Sequence, residues 1–256
     1  MLSVPILYED KDVLVINKPA GLIVHTDGRT EEPTLVEWLL KHYPKIKGVG
    51  DLSMANGQML NVSDAERSGI VHRLDRETSG ALVIAKNQSA FTFLKKQFQG
   101  REVEKNYRAF VYGQLKNDTG VIDRPIARSR KDFRLWSAQR GARGEEREAV
   151  TEYKMLGRFR PAPPAAGGAG ESFSFLEVKP KTGRTHQIRV HLKAVNHPVV
   201  CDKLYAPKRD CALGFKRLAL HALSIAFTLP SGKHIKVEAP YPEDFKQALK
   251  KFNQEL

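Results

Sequence analysis

The stretch that most constrains this chain is Gly69-Ile70-Val71-His72-Arg73-Leu74-Asp75-Arg76-Glu77-Thr78-Ser79-Gly80, which leads directly into the apolar run Ala81-Leu82-Val83-Ile84-Ala85. An apolar run of that length, bounded by a glycine and by Lys86-Asn87, predicts a buried strand, so the polar segment before it is a loop held against a rigid edge. Loops held in this way are where chemistry tends to sit. Asp75 lies between Arg73 and Arg76, two cations that favour an ionised carboxylate. That makes Asp75 either a nucleophile or base, or a member of a surface ion-pair cluster, and the spacing is compatible with both.

The balance of charge narrows the partners. The chain has 256 residues with 42 Lys+Arg against 29 Asp+Glu, a formal net charge of +13, and 41% hydrophobic residues. A core of ordinary size is affordable, and an excess of positive charge on this scale attracts polyanions, nucleic acid first among them. Cys201 and Cys211 are too few for a disulfide framework and have no companions at zinc spacing, which fits a reducing cytoplasm. No leader-like segment opens the sequence, and no apolar run reaches the roughly 18 residues that a membrane span requires.

Ile6-Leu7-Tyr8, Val13-Leu14-Val15-Ile16 and Leu22-Ile23-Val24 read as short strands around the turn Asn17-Lys18-Pro19-Ala20-Gly21. Thr34 is placed to cap a helix with Leu35, Trp38 and Leu39 on one face, and the pattern from Pro44 to Arg67 dissolves into a loop. Phe91, Leu94 and Phe98 mark a second helix stopped by Gly100, with the aromatics expected in the core. Lys105 to Gly113 alternates strictly, with Tyr107, Ala109 and Val111 on one face and Arg108, Phe110 and Tyr112 on the other.

Arg128 to Glu148 carries seven arginines and lysines against four acids, and reads as an exposed hairpin or loop suited to phosphates. Arg160 to Gly170 is a Pro/Ala/Gly surface loop between strands. Phe173 to Val178 is a strand, and Thr185 is a plausible cap for a helix whose inward face is Ile188, Leu192 and Val195. His186, Arg189 and Lys193 make one side of that helix basic. Ile225-Ala226-Phe227 and His234 to Val237 form strands around a Pro230-Ser231-Gly232-Lys233 turn, and a short helix from Phe245 to Phe252 closes the chain. Strands outnumber helices and several are joined by tight turns, which argues α+β with a largely antiparallel sheet.

His72-Arg73-Leu74-Asp75 with Thr78-Ser79-Gly80 resembles the central motif of the RNA pseudouridine synthases that modify ribosomal and transfer RNA. Four further matches extend the resemblance: Lys18-Pro19-Ala20-Gly21, Tyr107-Arg108-Ala109, the run from Thr182 to His191, and Arg217 to Ala222. His197 to Tyr205 is similar to another family segment, but Cys201 and Ala206 stand where glycine is usual, which implies an altered local turn.

The resemblance implies a mixed sheet with a central cleft flanked by helices, in a single catalytic domain over residues 1–256 with no separate N-terminal RNA-binding domain. It implies isomerisation of a uridine in RNA, most simply in large-subunit ribosomal RNA, without a cofactor or metal, by a cytoplasmic monomer. Asp75 is then the catalytic carboxylate, Tyr107 the active-site aromatic, and Arg189 the arginine set against Asp75, all three meeting at one extruded pyrimidine. The Lys18 turn buttresses the site, while His72 and His191 are structural or contact RNA. Arg73, Arg76, Arg128, Arg130, Arg184 and His186 are the candidate RNA contacts. The competing readings are the same chemistry on transfer RNA, a non-catalytic RNA-binding protein, and a hydrolase using Asp75 as its nucleophile.

Overall fold

The computed structural model describes residues 3–25, 32–50, 53–55, 58–60, 68–130, 132, 134–139, 141–159 and 171–253. The expected loop over residues 160–170, most of 56–67, and Lys131 and Arg140 of the basic segment lie outside the described residues.

The chain divides into two compact units, Met1–Glu104 with Ala222–Pro240, and Lys105–His221 with Tyr241–Leu256. In chain order the elements are β1 (Ile6–Glu9), β2 (Val13–Lys18), α1 (Leu35–His42), β3 (Ser53–Ala55), β4 (Gln58–Leu60), β5 (Ser79–Ala85), α2 (Gln88–Gln99) and β6 (Glu104–Tyr112). Then follow β7 (Thr119–Asp123), β8 (Ile126–Arg128), β9 (Trp136–Ser137), β10 (Arg143–Arg147), β11 (Val150–Phe159), β12 (Phe173–Pro180), α3 (Gln187–Ala194), β13 (Leu220–Thr228), β14 (His234–Glu238) and α4 (Glu243–Asn253). The fold is α+β with largely antiparallel strands, as the turn-rich sequence predicts. Among the described residues no helix is long and apolar enough to cross a membrane.

In the first unit the strand order is β1-β2-β5-β13, with β14 paired to β13. Every residue of β5 is buried, as its apolar run requires. The chain enters β5 through two glycines that no other residue can replace. At Gly69 (φ +79°) a Cβ would lie 2.0 Å from the carbonyl oxygen of Ala85, and at Gly80 (φ +119°) 2.1 Å from that of Ala222.

Leu22–Val24 is not a strand. The carbonyls of Ile23 and Val24 instead accept from the N–H groups of Leu35 and Val36, satisfying donors that the first turn of α1 leaves open. Thr34 caps α1 as expected, and Glu37 completes a capping box. The segment after Pro44, expected to be a loop, holds a 3₁₀ turn at Pro44–Ile46 and the β3–β4 hairpin.

In the second unit β6-β12-β11-β7 form an antiparallel sheet, and β10-β8-β9 a separate three-stranded one. Phe110 stacks on Phe175 at 4.6 Å and meets Phe215 and Phe245, so α4 packs through its apolar face. The cap expected at Thr185 is displaced by one residue. His186 is the N-cap, in a left-handed conformation (φ +55°) with no side-chain cap bond. The amide side chain of Gln187 holds the turn instead: its oxygen accepts from Thr182 Oγ1 and Arg184 N–H, and its nitrogen donates to Val150 O and Thr151 Oγ1.

At Cys201, where the resemblance expects glycine, the backbone is in the region that favours glycine. Cys201 takes a left-handed φ of +58°, which costs a non-glycine residue about 1 kcal/mol. A disulfide to Cys211, with Cα atoms 4.4 Å apart, cross-links the segment. The two cysteines thus form a single staple, so the cysteine usage gives no support for the reducing cytoplasm expected from the sequence.

Candidate active site

Asp75 sits, half-buried, in the turn before β5, and backbone carbonyls of that turn are tied to its surroundings. Its carbonyl accepts from Thr78 N–H, and the carbonyl of Arg76 accepts from Gly21 N–H. Lys18, fully buried at the end of β2, supplies the anchor. Its Nζ donates to the carbonyls of Pro19, Leu22 and Arg76, at 2.9, 2.9 and 3.0 Å. The Lys18-Pro19-Ala20-Gly21 turn is therefore a clamp on the residue next to Asp75, and a Gly21 φ of +86° lets the chain turn there.

His72 is structural: its Nε2 accepts from Val83 N–H of β5, and its ring stacks on Phe98 at 4.7 Å. Phe98, expected in the core, is thus half-buried against the motif it supports. Arg73 and Arg76 are exposed, and the Arg76 guanidinium is engaged by Glu32 at 2.6 Å.

The second unit holds Tyr107 and Arg189. Tyr107, on β6 opposite Val178 of β12, is partly buried and packs against the main core cluster. Arg189 is 8% exposed on α3, where Nε and Nη2 donate to the two carboxylate oxygens of Asp202 at 2.8 and 2.9 Å. Asp202 Oδ1 also accepts from the N–H groups of Leu204 and Tyr205, so the bidentate pair is fully built. The basic helix side read from His186, Arg189 and Lys193 is therefore not a solvated face: its central member is buried and paired. A carboxylate four residues after a proline, in an otherwise apolar segment, was the signal for Asp202.

Tyr205 ties these parts together. Its hydroxyl accepts from Trp136 N–H and is 2.9 Å from His186 Nδ1, while Arg189 and Lys193 lie over its ring at 5.0 and 5.6 Å. Trp136 in turn carries the Arg128 guanidinium 4.1 Å from its ring centre. Arg128 and Arg130 are exposed on and after β8, and all of β10 is exposed, so the basic hairpin has the accessibility that phosphate contacts need. Arg184 is half-buried, with Nε donating to the carbonyl of Glu148. His191 is buried, with both ring nitrogens engaged, by Thr151 Oγ1 and by the carbonyl of Arg124. A groove of about 340 Å³ beside β7, lined by residues such as Tyr153, Glu177 and Lys179, contains none of the expected site residues.

The family model for RNA pseudouridylate synthase matches residues 12–194, a span that contains Asp75, Tyr107 and Arg189. The chain belongs to the RNA pseudouridylate synthase family. It is 40% identical over 256 residues to ribosomal large subunit pseudouridine synthase D of Xanthomonas campestris, covering 95% of this chain and 68% of that one. It is 37% identical over 249 residues to the uncharacterized RNA pseudouridine synthase YlyB of Bacillus subtilis, covering 97% of this chain and 72% of its relative. Among solved structures, human RNA pseudouridylate synthase domain containing 1 superposes with a TM-score of 0.69 at 26% identity, over 94% of this chain and 84% of that one. The protein is an RNA pseudouridine synthase, and the α+β fold is that of the family.

Proposed function

We propose that this synthase converts a uridine of large-subunit ribosomal RNA to pseudouridine, as a monomeric cytoplasmic enzyme whose two units make one catalytic domain. The observation that carries the assignment of roles is the turn around Asp75. A buried lysine that bonds three carbonyls, one of them on the residue next to Asp75, and a constrained glycine on either side of the motif hold a half-buried carboxylate in place, more than a loop aspartate on a surface needs.

The reaction breaks the N-glycosidic bond, turns the uracil, and joins its C5 to the ribose, with the C5 hydrogen lost and N1 protonated, so that nothing is added or removed overall. A base inside a helix must first be extruded, at a cost of a few kcal/mol that contacts to the RNA offset. Asp75 acts on the nucleoside to start bond cleavage. Tyr107 stacks on the uracil, and its hydroxyl serves as the base for proton removal. Arg189, its plane set by Asp202, holds the Asp75 carboxylate ionised. Arg73, Arg76, Arg128, Arg130, Arg184 and His186 take the RNA backbone. The ribosomal target is supported by the relative named for the large ribosomal subunit.

Asp75→Asn tests the roles. It keeps the basic surface, so a C5-tritiated transcript should bind as before, while tritium release disappears. Turnover within about tenfold of wild type, a barrier change of only about 1.4 kcal/mol, removes Asp75 from the chemistry. Mapping pseudouridines in ribosomal and transfer RNA from cells with and without the gene decides the target.

A further inference from the structure

Lys105 is two residues before Tyr107 on β6, so the two side chains leave the same face of the strand. Its Nζ donates to the carbonyl of Thr182 at 3.2 Å. That acceptor is itself immobile, because Thr182 is buried and its hydroxyl accepts from Val150 N–H and donates to Gln187. An ammonium has three N–H donors, and one carbonyl satisfies one of them. No carboxylate among the described residues pairs with Lys105. Burial alone pulls its pKa down to about 8. The fold therefore half-buries a cation on the strand face of Tyr107 and gives it one protein hydrogen bond, leaving further N–H donors for a ligand, a pattern common in functional groups.

The reaction supplies a use. When the N-glycosidic bond breaks heterolytically, its electron pair goes to N1 of the uracil and spreads onto the ring carbonyl oxygens. Donors fixed in a water-poor site are the most effective way to hold such charge. We propose that Lys105 is a catalytic residue of the isomerisation, its ammonium hydrogen-bonding a carbonyl oxygen of the uracil stacked on Tyr107 and carrying the negative charge that the base acquires as it leaves the ribose. No proton needs to be transferred: Lys105 stays an ammonium throughout, and the electron pair returns to the ribose through C5. The inference rests on Tyr107 being the stacking residue.

Lys105→Met, Lys105→Ala and Lys105→Arg test it on a C5-tritiated transcript. The Met variant should fold, bind the transcript within about threefold of wild type, and react about a hundredfold more slowly in single turnover, the loss expected of one charge-stabilising donor. The Arg variant should recover part of that loss, and added methylamine should raise the rate of the Ala variant. A Met variant reacting within about threefold of wild type overturns the proposal. Met and Ala variants that melt early, bind RNA poorly and ignore methylamine also overturn it, and make Lys105 a strut between β6 and the segment before α3. Asp75→Asn is run alongside. If that variant still turns over, the assignment of the whole site has failed; if it is inactive while Lys105→Met reacts normally, only the role of Lys105 has.

Discussion

Lys18 is fully buried and Lys105 partly so, and the protein treats them in opposite ways. Lys18 meets three carbonyl oxygens, one for each N–H, and the reward is structural: the turn beside Asp75 is tied to β2. Lys105 meets one carbonyl, and its pKa is drawn down to about 8 by burial. A buried charge whose hydrogen bonds are complete belongs to the scaffold, whereas one left incomplete beside a candidate catalytic residue is a reserve of interaction for a substrate. The contrast separates holding a site from acting in it, for two residues of the same type.

Stability should divide the two lysines by sign. Lys18→Met removes the lysine's hydrogen bonds to the carbonyls of Pro19 and Leu22 and leaves that of Arg76 with Gly21 N–H alone, so we expect a loss of about 4 kcal/mol in urea unfolding, the largest effect here. A loss under about 1 kcal/mol would break the comparison at its structural end. Lys105→Met should stabilise at pH 7, by up to roughly 3 kcal/mol, because it deletes a charge that the fold disfavours.

The pH dependence checks the cause. With a native pKa near 8 and an unfolded value of 10.5, the unfolded chain binds more protons between those limits. The contribution of Lys105 to wild-type stability therefore rises as pH climbs from 8 to 10.5 and is flat below 8. The Lys105→Met variant should lack that rise. The same slope in both proteins would show that the lysine is not desolvated.

The Asp75 turn was largely legible before the fold was known, because its signals are local: glycines at both ends, a Lys-Pro turn, and an apolar run to lean on. Thr34 was legible for the same reason, since a cap speaks to its own helix. What escaped the sequence depends on chain segments that meet only in the folded protein. Nothing near Arg189 names Asp202 as its partner, and nothing near Lys105 shows that Thr182 will offer it one carbonyl. Leu22–Val24 has the composition of a strand, but its carbonyls serve the start of α1. Thr185 looks like a cap, yet Gln187 already satisfies the turn, and the helix begins after a left-handed His186. Cys201 adopts a left-handed backbone and is cross-linked to Cys211, which only the folded chain reveals.

His191 extends the comparison to a group that is buried and complete in its neutral form. Its Nε2–H donates to the carbonyl of Arg124, so Nδ1 is the acceptor for the Thr151 hydroxyl, which itself accepts from Gln187. Burial lowers its pKa from the ordinary 6.5, as it does for Lys105, but here the native state has no unmet donor. With the native pKa depressed, the stability that neutral His191 contributes is present above pH 6.5 and is lost as pH falls toward the native value. Urea midpoints measured from pH 7.5 to 5.5 should decline below pH 6.5, with a slope for this group of at most about 1.4 kcal/mol per pH unit. His191→Gln cannot take up a proton and should remove that part of the decline. Since His191 completes the scaffold around α3 and is given no role in the chemistry, the single-turnover rate of the folded variant at pH 7.5 should change by less than about threefold. A larger loss would place His191 with Lys105 among the acting residues, and burial with complete hydrogen bonding would then no longer mark the scaffold.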